Sequence, residues 1–218
     1  MKSTQYFGVF GQGKKLYTIN LVRGNSVYGE ALVREGGREY RYWDPYRSKL
    51  AAGLLKGLID LNLKSNSIVL YLGAASGTTL SHISDICKDG LVFGVEFSPE
   101  VFADLFLLAK LRGNVVPMLC DATSPETYYH RLVAVDLVYQ DIAQRNQVEI
   151  FERNCDLFLK RGGRGVLCVK ARSIDVAMPP KKLFREIKHR LRAKFRLLDY
   201  HVLEPYQRDH AILVIERG

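Results

Sequence analysis

Ser67-Ile68-Val69-Leu70-Tyr71-Leu72 is a short, almost wholly apolar run, and Gly73-Ala74-Ala75-Ser76-Gly77-Thr78-Thr79 follows it directly. The first stretch has the length and composition of a strand buried on both faces. The second passes through small residues into the helical pattern Thr78–Ile86. The unit then repeats. Apolar runs at Leu91–Phe97, Val115–Leu119, Val135–Tyr139 and Gly165–Val169 alternate with helical stretches at Glu100–Leu111, Val148–Leu159 and Lys181–Lys194. This alternation predicts a parallel sheet with helices on both faces. Two last strands, Arg196–Val202 and Ala211–Glu216, are joined by a link too short for a helical crossover, so they should be antiparallel.

Upstream, Leu50, Leu54, Leu55, Leu58, Ile59 and Leu61 recur at helical spacing. Before Asp44-Pro45 the pattern is different. Tyr6–Phe10 and Leu16–Leu21 flank Gly11-Gln12-Gly13, and Ala31–Val33 and Glu39–Trp43 flank Glu35-Gly36-Gly37. Paired glycines between strand-like runs predict hairpins. The expected organisation is a small N-terminal β domain over 1–45 and an α/β domain over 46–218.

The composition of the 218 residues, 47% apolar and 25% charged, is that of a globular chain and not a disordered one. No apolar run reaches the ~18 residues that cross a bilayer, and Met1–Tyr6 lacks the apolar stretch of a signal peptide. A cytoplasmic protein is expected. Cys87, Cys120, Cys155 and Cys168 form no C-x-x-C pair, which excludes a zinc ribbon or thioredoxin motif. They read as buried reduced thiols, and no metal site is expected.

Ligands of parallel sheets bind at the carboxyl ends of the strands, so the residues there carry the functional reading. Gly73, Ala75 and Thr78 stand where a dinucleotide fingerprint needs three glycines, and no Gly-Lys-Ser/Thr follows. Neither a nicotinamide site nor a P-loop fits. The small residues still let backbone approach a ligand, and Thr78 and Thr79 open a helix. Glu96-Phe97 ends the second strand, where an acid can accept from both ribose hydroxyls of an adenosine. Asp121-Ala122 ends the third, where a carboxylate can accept from an adenine amino group. Asp141-Ile142-Ala143-Gln144 ends the fourth, and Lys170 leaves the fifth at the same face. Acids after strands two and three, without a polyphosphate cradle, describe S-adenosylmethionine better than ATP or NAD. The expected fold is accordingly a Rossmann-like class I methyltransferase, with a mostly parallel seven-stranded sheet and an antiparallel last strand. Lys49 and Lys170 indicate a hydroxyl acceptor, because a lysine of lowered pKa can assist removal of its proton. Asp141 is expected to orient Lys170 and to favour the sulfonium donor.

The charge is uneven. Residues 1–152 hold 16 basic and 16 acidic side chains, so residues 153–218 carry the whole +9. Within 180–196, Lys181, Lys182, Arg185, Lys188, Arg190, Arg192, Lys194 and Arg196 face only Glu186. Clustered cations bind phosphates by releasing counterions. Lys181, Lys182, Arg185 and Arg172 are the candidate RNA contacts. Phe184, Ile187, Leu191 and Phe195 have the spacing of a face packed on a core.

Tyr46-Arg47-Ser48-Lys49-Leu50, the run Tyr71–Thr79, Val95-Glu96-Phe97-Ser98-Pro99, Asp141–Gln144, Val169–Asp175, and Leu203-Glu204-Pro205-Tyr206 with Asp209-His210-Ala211 together resemble the fibrillarin family. The likeness extends from about Asn20 to the C-terminus. There is no Gly/Arg-rich extension, so the short archaeal form is expected. The resemblance implies a guide-RNA-directed ribose 2′-O-methyltransferase of box C/D particles acting on rRNA, and perhaps tRNA. It places the catalytic set on Lys49, Asp141, Lys170 and His210. It places donor contacts on Thr78, Thr79, Glu96, Phe97, Asp121, Ala122, Asp141 and Gln144. The partners it implies are guide RNA, a Nop-domain scaffold and a kink-turn-binding, ribosomal-protein-like subunit. Ala171, where the family often has Ser, and Ala74, where Ile is common, are small departures outside the catalytic set.

Overall fold

The computed structural model describes residues 1–218. Five short strands open the chain: β1 (Lys2–Ser3), β2 (Val9–Gln12), β3 (Lys15–Ile19), β4 (Leu32–Glu35) and β5 (Arg38–Trp43). They form one antiparallel sheet in the order β1-β2-β3-β5-β4. The first hairpin starts at Val9, later than the apolar run suggests. Tyr6 lies outside it and donates its hydroxyl to Leu58 O at 2.7 Å.

The second sheet has seven strands: β6 (Ile68–Leu72), β7 (Leu91–Glu96), β8 (Val115–Leu119), β9 (Val135–Gln140), β10 (Leu159–Lys170), β11 (Arg196–Val202) and β12 (His210–Glu216). Their order is β11-β12-β10-β9-β6-β7-β8, and only β12 runs against its neighbours. This is the expected sheet, with the antiparallel final pair where the short link places it. On one face lie α1 (Lys49–Leu55), α2 (Thr78–Ile86) and α3 (Pro99–Leu111), together with the N-terminal sheet. On the other lie α4 (Gln147–Phe158) and α6 (Pro180–Lys194), and α5 (Ala171–Ile174) follows β10.

Two expectations change. The helical spacing from Leu50 to Leu61 does not give one helix: α1 ends at Leu55, and Gly57 at φ 87° turns the chain away. Leu58 and Leu61 stay buried from a loop, so their spacing reflects packing and not helix. β10 begins at Leu159, six residues before its apolar run, with a register shift between Leu159 and Arg164. Of the four thiols, Cys87, Cys155 and Cys168 are buried as expected. Cys120 is only partly so.

The two sheets are joined through a buried, charge-balanced network. Arg41 binds Glu30 at 2.6 Å and Asp85 at 2.9 Å, and Arg112 binds the other oxygen of Asp85 at 2.7 Å. Thr18 Oγ1 donates to Asp85 at 2.7 Å, so it accepts from His82 Nδ1 at 2.8 Å, and Tyr28 OH then donates to Nε2. His82 stacks on Trp43 with ring centroids 4.8 Å apart. Burial, and then Arg41 and Arg112, hold the His82 pKa well below its usual value. Below pH 6.5 the unfolded chain therefore takes up a proton that the fold refuses. Stability should fall with pH from there, by up to about 1.4 kcal/mol per pH unit from this one group. Urea midpoints of the parent and of His82→Gln at pH 7.5 and 5.5 measure it; the parent should lose more.

Candidate active site

The carboxyl ends of β6, β7, β8 and β9 enclose a cavity of about 270 Å³. The loop after β6 closes one side. Gly73, at φ 75°, lies so near the next loop that a Cβ there would stand 2.5 Å from Asp141 O. Only glycine lets these two strand ends converge. Gly73 N and Ala74 N both donate to Val95 O at 3.0 Å, which fixes the turn that presents Ala75.

Glu96 is held in position by backbone. Its Oε2 accepts from Ala75 N at 2.9 Å, and its Oε1 from Phe97 N and Ser98 N at 3.0 Å each. Each carboxylate oxygen has two acceptor sites, so one remains on Oε2. Phe97, beside it, is 65% exposed. Asp121 takes Thr123 N at 2.8 Å and turns its loop along the cavity beside buried Ala122. Asp141, Ile142, Ala143 and Gln144 form the remaining wall.

Ten of the twelve candidate donor contacts therefore line one cavity. Thr78 and Thr79 do not. Thr79 is buried and donates to Ser48 Oγ at 2.9 Å, where Ser48 caps α1 and also accepts from Trp43 Nε1. Its role is to lock α2 against the segment that carries Lys49. Val95 and Cys120 line the cavity as well. Their only signal in the sequence is adjacency to Glu96 and Asp121.

Lys49 opens α1 and binds Asp141 Oδ2 at 2.9 Å, both side chains about four-fifths covered. Burial works to lower the Lys49 pKa, but the Asp141 carboxylate outweighs it and raises the value, so this ammonium stays charged. Asp141 was expected to orient Lys170. The structure pairs it with Lys49 instead, because α1 delivers that lysine across the end of β9 while Lys170 lies beyond the end of β9. Lys170 is exposed, with no carboxylate partner, and its backbone N donates to Gln147 Oε1 at 3.3 Å. Across the antiparallel pair β10–β12 it stands opposite His210. His210 Nδ1 contacts Arg208 O at 2.6 Å, and since a carbonyl only accepts, Nδ1 carries the proton and Nε2 keeps a lone pair. Burial first, and then the nearby lysines, lower the His210 pKa. Tyr71 and Tyr139, fully buried with rings 4.6 Å apart, form the floor beneath Asp141.

Lys181, Lys182 and Arg185 lie exposed on α6, free of carboxylate partners, while Leu183, Phe184, Ile187 and Leu191 face inward. The rest of the basic run is partly neutralised by α4. Arg190 binds Glu152 at 2.6 Å and Lys194 binds Asp156. Arg172 is tied to Asp209 at 3.2 Å and to Val176 O at 2.7 Å, so its guanidinium is committed to its own loop.

Residues 2–217 match the family model for fibrillarin. The chain is 49% identical over 211 residues to the fibrillarin-like rRNA/tRNA 2′-O-methyltransferase of Methanothermobacter thermautotrophicus, covering 96% of this chain and 94% of that protein. It superposes with a TM-score of 0.84 on Aeropyrum pernix fibrillarin in complex with natively bound S-adenosyl-L-methionine, at 47% identity, covering 92% and 88%. With the fibrillarin of a fibrillarin/Nop5p complex the TM-score is 0.92 at 42% identity, covering 99% and 100%. The strand-end cavity, the seven-stranded sheet with one reversed strand and these matches along nearly the whole chain agree, and the chain belongs to the fibrillarin family.

Proposed function

We propose that this chain transfers the methyl group of S-adenosylmethionine to ribose 2′-hydroxyls of rRNA and tRNA, as the enzyme of a box C/D particle. The observation that carries the reading is the gathering of Lys49, Asp141, Lys170 and His210 at the rim of a cavity lined by Glu96 and Asp121. The cavity suits the donor. Glu96 has a free acceptor for a ribose hydroxyl, Phe97 and Ile142 offer apolar surface to adenine, and Asp121 and Asp141 add negative charge. When bound, S-adenosylmethionine supplies an electrophilic methyl on a sulfonium. Asp141, held by Lys49, faces that positive charge. Lys170 and His210 reach the acceptor side, where a base must take the hydroxyl proton as the new bond forms.

RNA approaches across the exposed cations of α6. The partners we infer are a Nop-domain scaffold, the guide RNA and a kink-turn-binding subunit, in the cytoplasm. No helix is long and apolar enough to cross a membrane. We place the domain division at residues 45 and 46, between the end of β5 and α1. Transfer of label from donor to a target RNA, with and without matched guide and partner proteins, tests the reading. Full activity on naked RNA would instead mark a stand-alone ribose methyltransferase.

Two outcomes follow from the site. Glu96→Ala should weaken donor binding by roughly 1.5–3 kcal/mol, the scale of hydrogen bonds to a charged group, measured by calorimetry. Donor affinity equal to the parent's would remove Glu96 from the site. Changing Lys181, Lys182 and Arg185 together to Gln should weaken RNA association and flatten its dependence on salt, with donor affinity unchanged. An unaltered salt slope would make α6 merely a solvated face.

A further inference from the structure

At the opposite end of the seven-stranded sheet, below the starts of β6, β9 and the apolar part of β10, lies a second and larger cleft of about 960 Å³. Four cations line it: Lys64, Lys160, Arg161 and Arg164. The acids there are Asp60 and Asp136. Asp136 is engaged by Lys160 at 2.7 Å and by Ile68 N at 2.8 Å, and Asp60 by Asn62 N at 3.2 Å. Lys64 and Arg161 have no carboxylate within ion-pair distance and stand exposed.

Arg164 is the anomaly. Its Nε and Nη1 are buried without any hydrogen-bond partner. Its Nη2 stands 3.9 Å from Glu216, a carboxylate that Arg196 holds more closely at 3.2 Å. A covered guanidinium lacking acceptors is costly to the fold. A phosphate supplies the missing acceptors in a geometry that suits arginine. Phe7 lines the same cleft and is 51% exposed. Cations that follow a backbone beside an exposed aromatic face are the chemistry of single-stranded RNA binding.

We propose that this cleft holds a single-stranded segment of RNA, its phosphates on Lys64, Arg161 and Arg164 and a base stacked on Phe7. Arg164 meets the phosphate by turning about its outer torsions into the cleft. From Arg164 to Lys170 the strand spans about 20 Å, so this contact is separate from the nucleotide being modified. It rests on the reading of the chain as an RNA methyltransferase, and adds a second place where RNA is held.

The test uses the full chain and a fluorescent oligouridine titrated between 50 and 200 mM salt. Lys64→Gln with Arg161→Gln should weaken binding and make the salt slope shallower by about 2, one for each lost phosphate contact. Arg164→Leu should do the same by about 1, with thermal stability equal to or above the parent's, since an unpartnered charge is removed. Phe7→Ala should lower affinity several-fold with the slope unchanged, because stacking releases no counterions. None of these variants should alter donor affinity. Unchanged slopes, or an Arg164→Leu protein of lower stability with normal RNA binding, would overturn the proposal and make Arg164 a structural residue. Saturation of the cleft by millimolar inorganic phosphate, with no effect of the substitutions on oligouridine, would overturn it in favour of a free-anion site. A parent chain that binds no RNA and transfers no methyl group would defeat the functional reading itself, an outcome distinct from these.

Discussion

Replacing Lys170 by alanine should lower single-turnover methyl transfer by about 10²–10⁴-fold, the usual contribution of a positioned acid–base group. Donor affinity and thermal stability should stay at the parent level. Lys170 is the last residue of β10, and its side chain is exposed and makes no ion pair. What anchors the segment is backbone: the Lys170 N–H on Gln147 Oε1 and the ladder to β12. Truncation leaves both in place. Lys49 cannot substitute as a base, because Asp141 keeps its ammonium charged. Lys170→Arg separates the two roles left to Lys170. Arginine keeps the positive charge but does not give up a proton, so a base requires Lys170→Arg to fail with the alanine variant, while charge stabilisation alone lets it recover. Retention of most of the parent rate by Lys170→Ala would exclude the lysine from proton removal. His210, neutral with a free Nε2, would then be the next group to change.

The parallel sheet is legible because β6, β7, β8 and β9 are nearly continuous apolar runs. Burial on both faces leaves no other composition open to them. The site is legible for the same reason. A Glu, two Asp and a Lys that follow such runs emerge at one edge, whatever the loops do. Pairings between distant segments are different, since sequence spacing does not encode them. Thr79 is one turn from the cavity, yet Ser48, 31 residues earlier, draws its hydroxyl inward. Arg41, Glu30, Asp85 and Arg112 carry no pattern that marks them as one buried network. Leu58 and Leu61 keep a helical spacing after the helix has ended, because burial alone selects leucine there. The choice of Lys49 over Lys170 as the partner of Asp141 belongs to the same class. Strand order makes both lysines neighbours of Asp141, and only the approach of α1 decides between them.

That choice gives Asp141→Ala the broader defect. Asp141 lines the donor cavity, and its backbone N donates to Leu72 O at 3.0 Å, so the loop is pinned independently of the side chain. Removing the carboxylate strands the Lys49 ammonium in a largely covered position. Breaking a fully buried pair costs about 3–5 kcal/mol; with each side chain here partly open to water, about 1–3 kcal/mol of stability should be lost at pH 7. The sign with pH is fixed by Lys49, whose folded pKa lies above its unfolded value of 10.5. The pair's stabilisation is complete below that value and fades as pH rises through the folded pKa. The parent and Asp141→Ala should therefore differ most near neutrality and converge in strong alkali. At the same time the donor sulfonium loses a facing negative charge, so donor affinity and single-turnover rate should both fall, the rate by at least 10²-fold. Asn at this position keeps the shape and should fail nearly as badly, since the missing property is charge. Melting temperature, donor calorimetry and single-turnover transfer on the same two variants decide the matter. Normal donor affinity alongside a normal melting temperature would show that Asp141 neither holds Lys49 nor meets the donor.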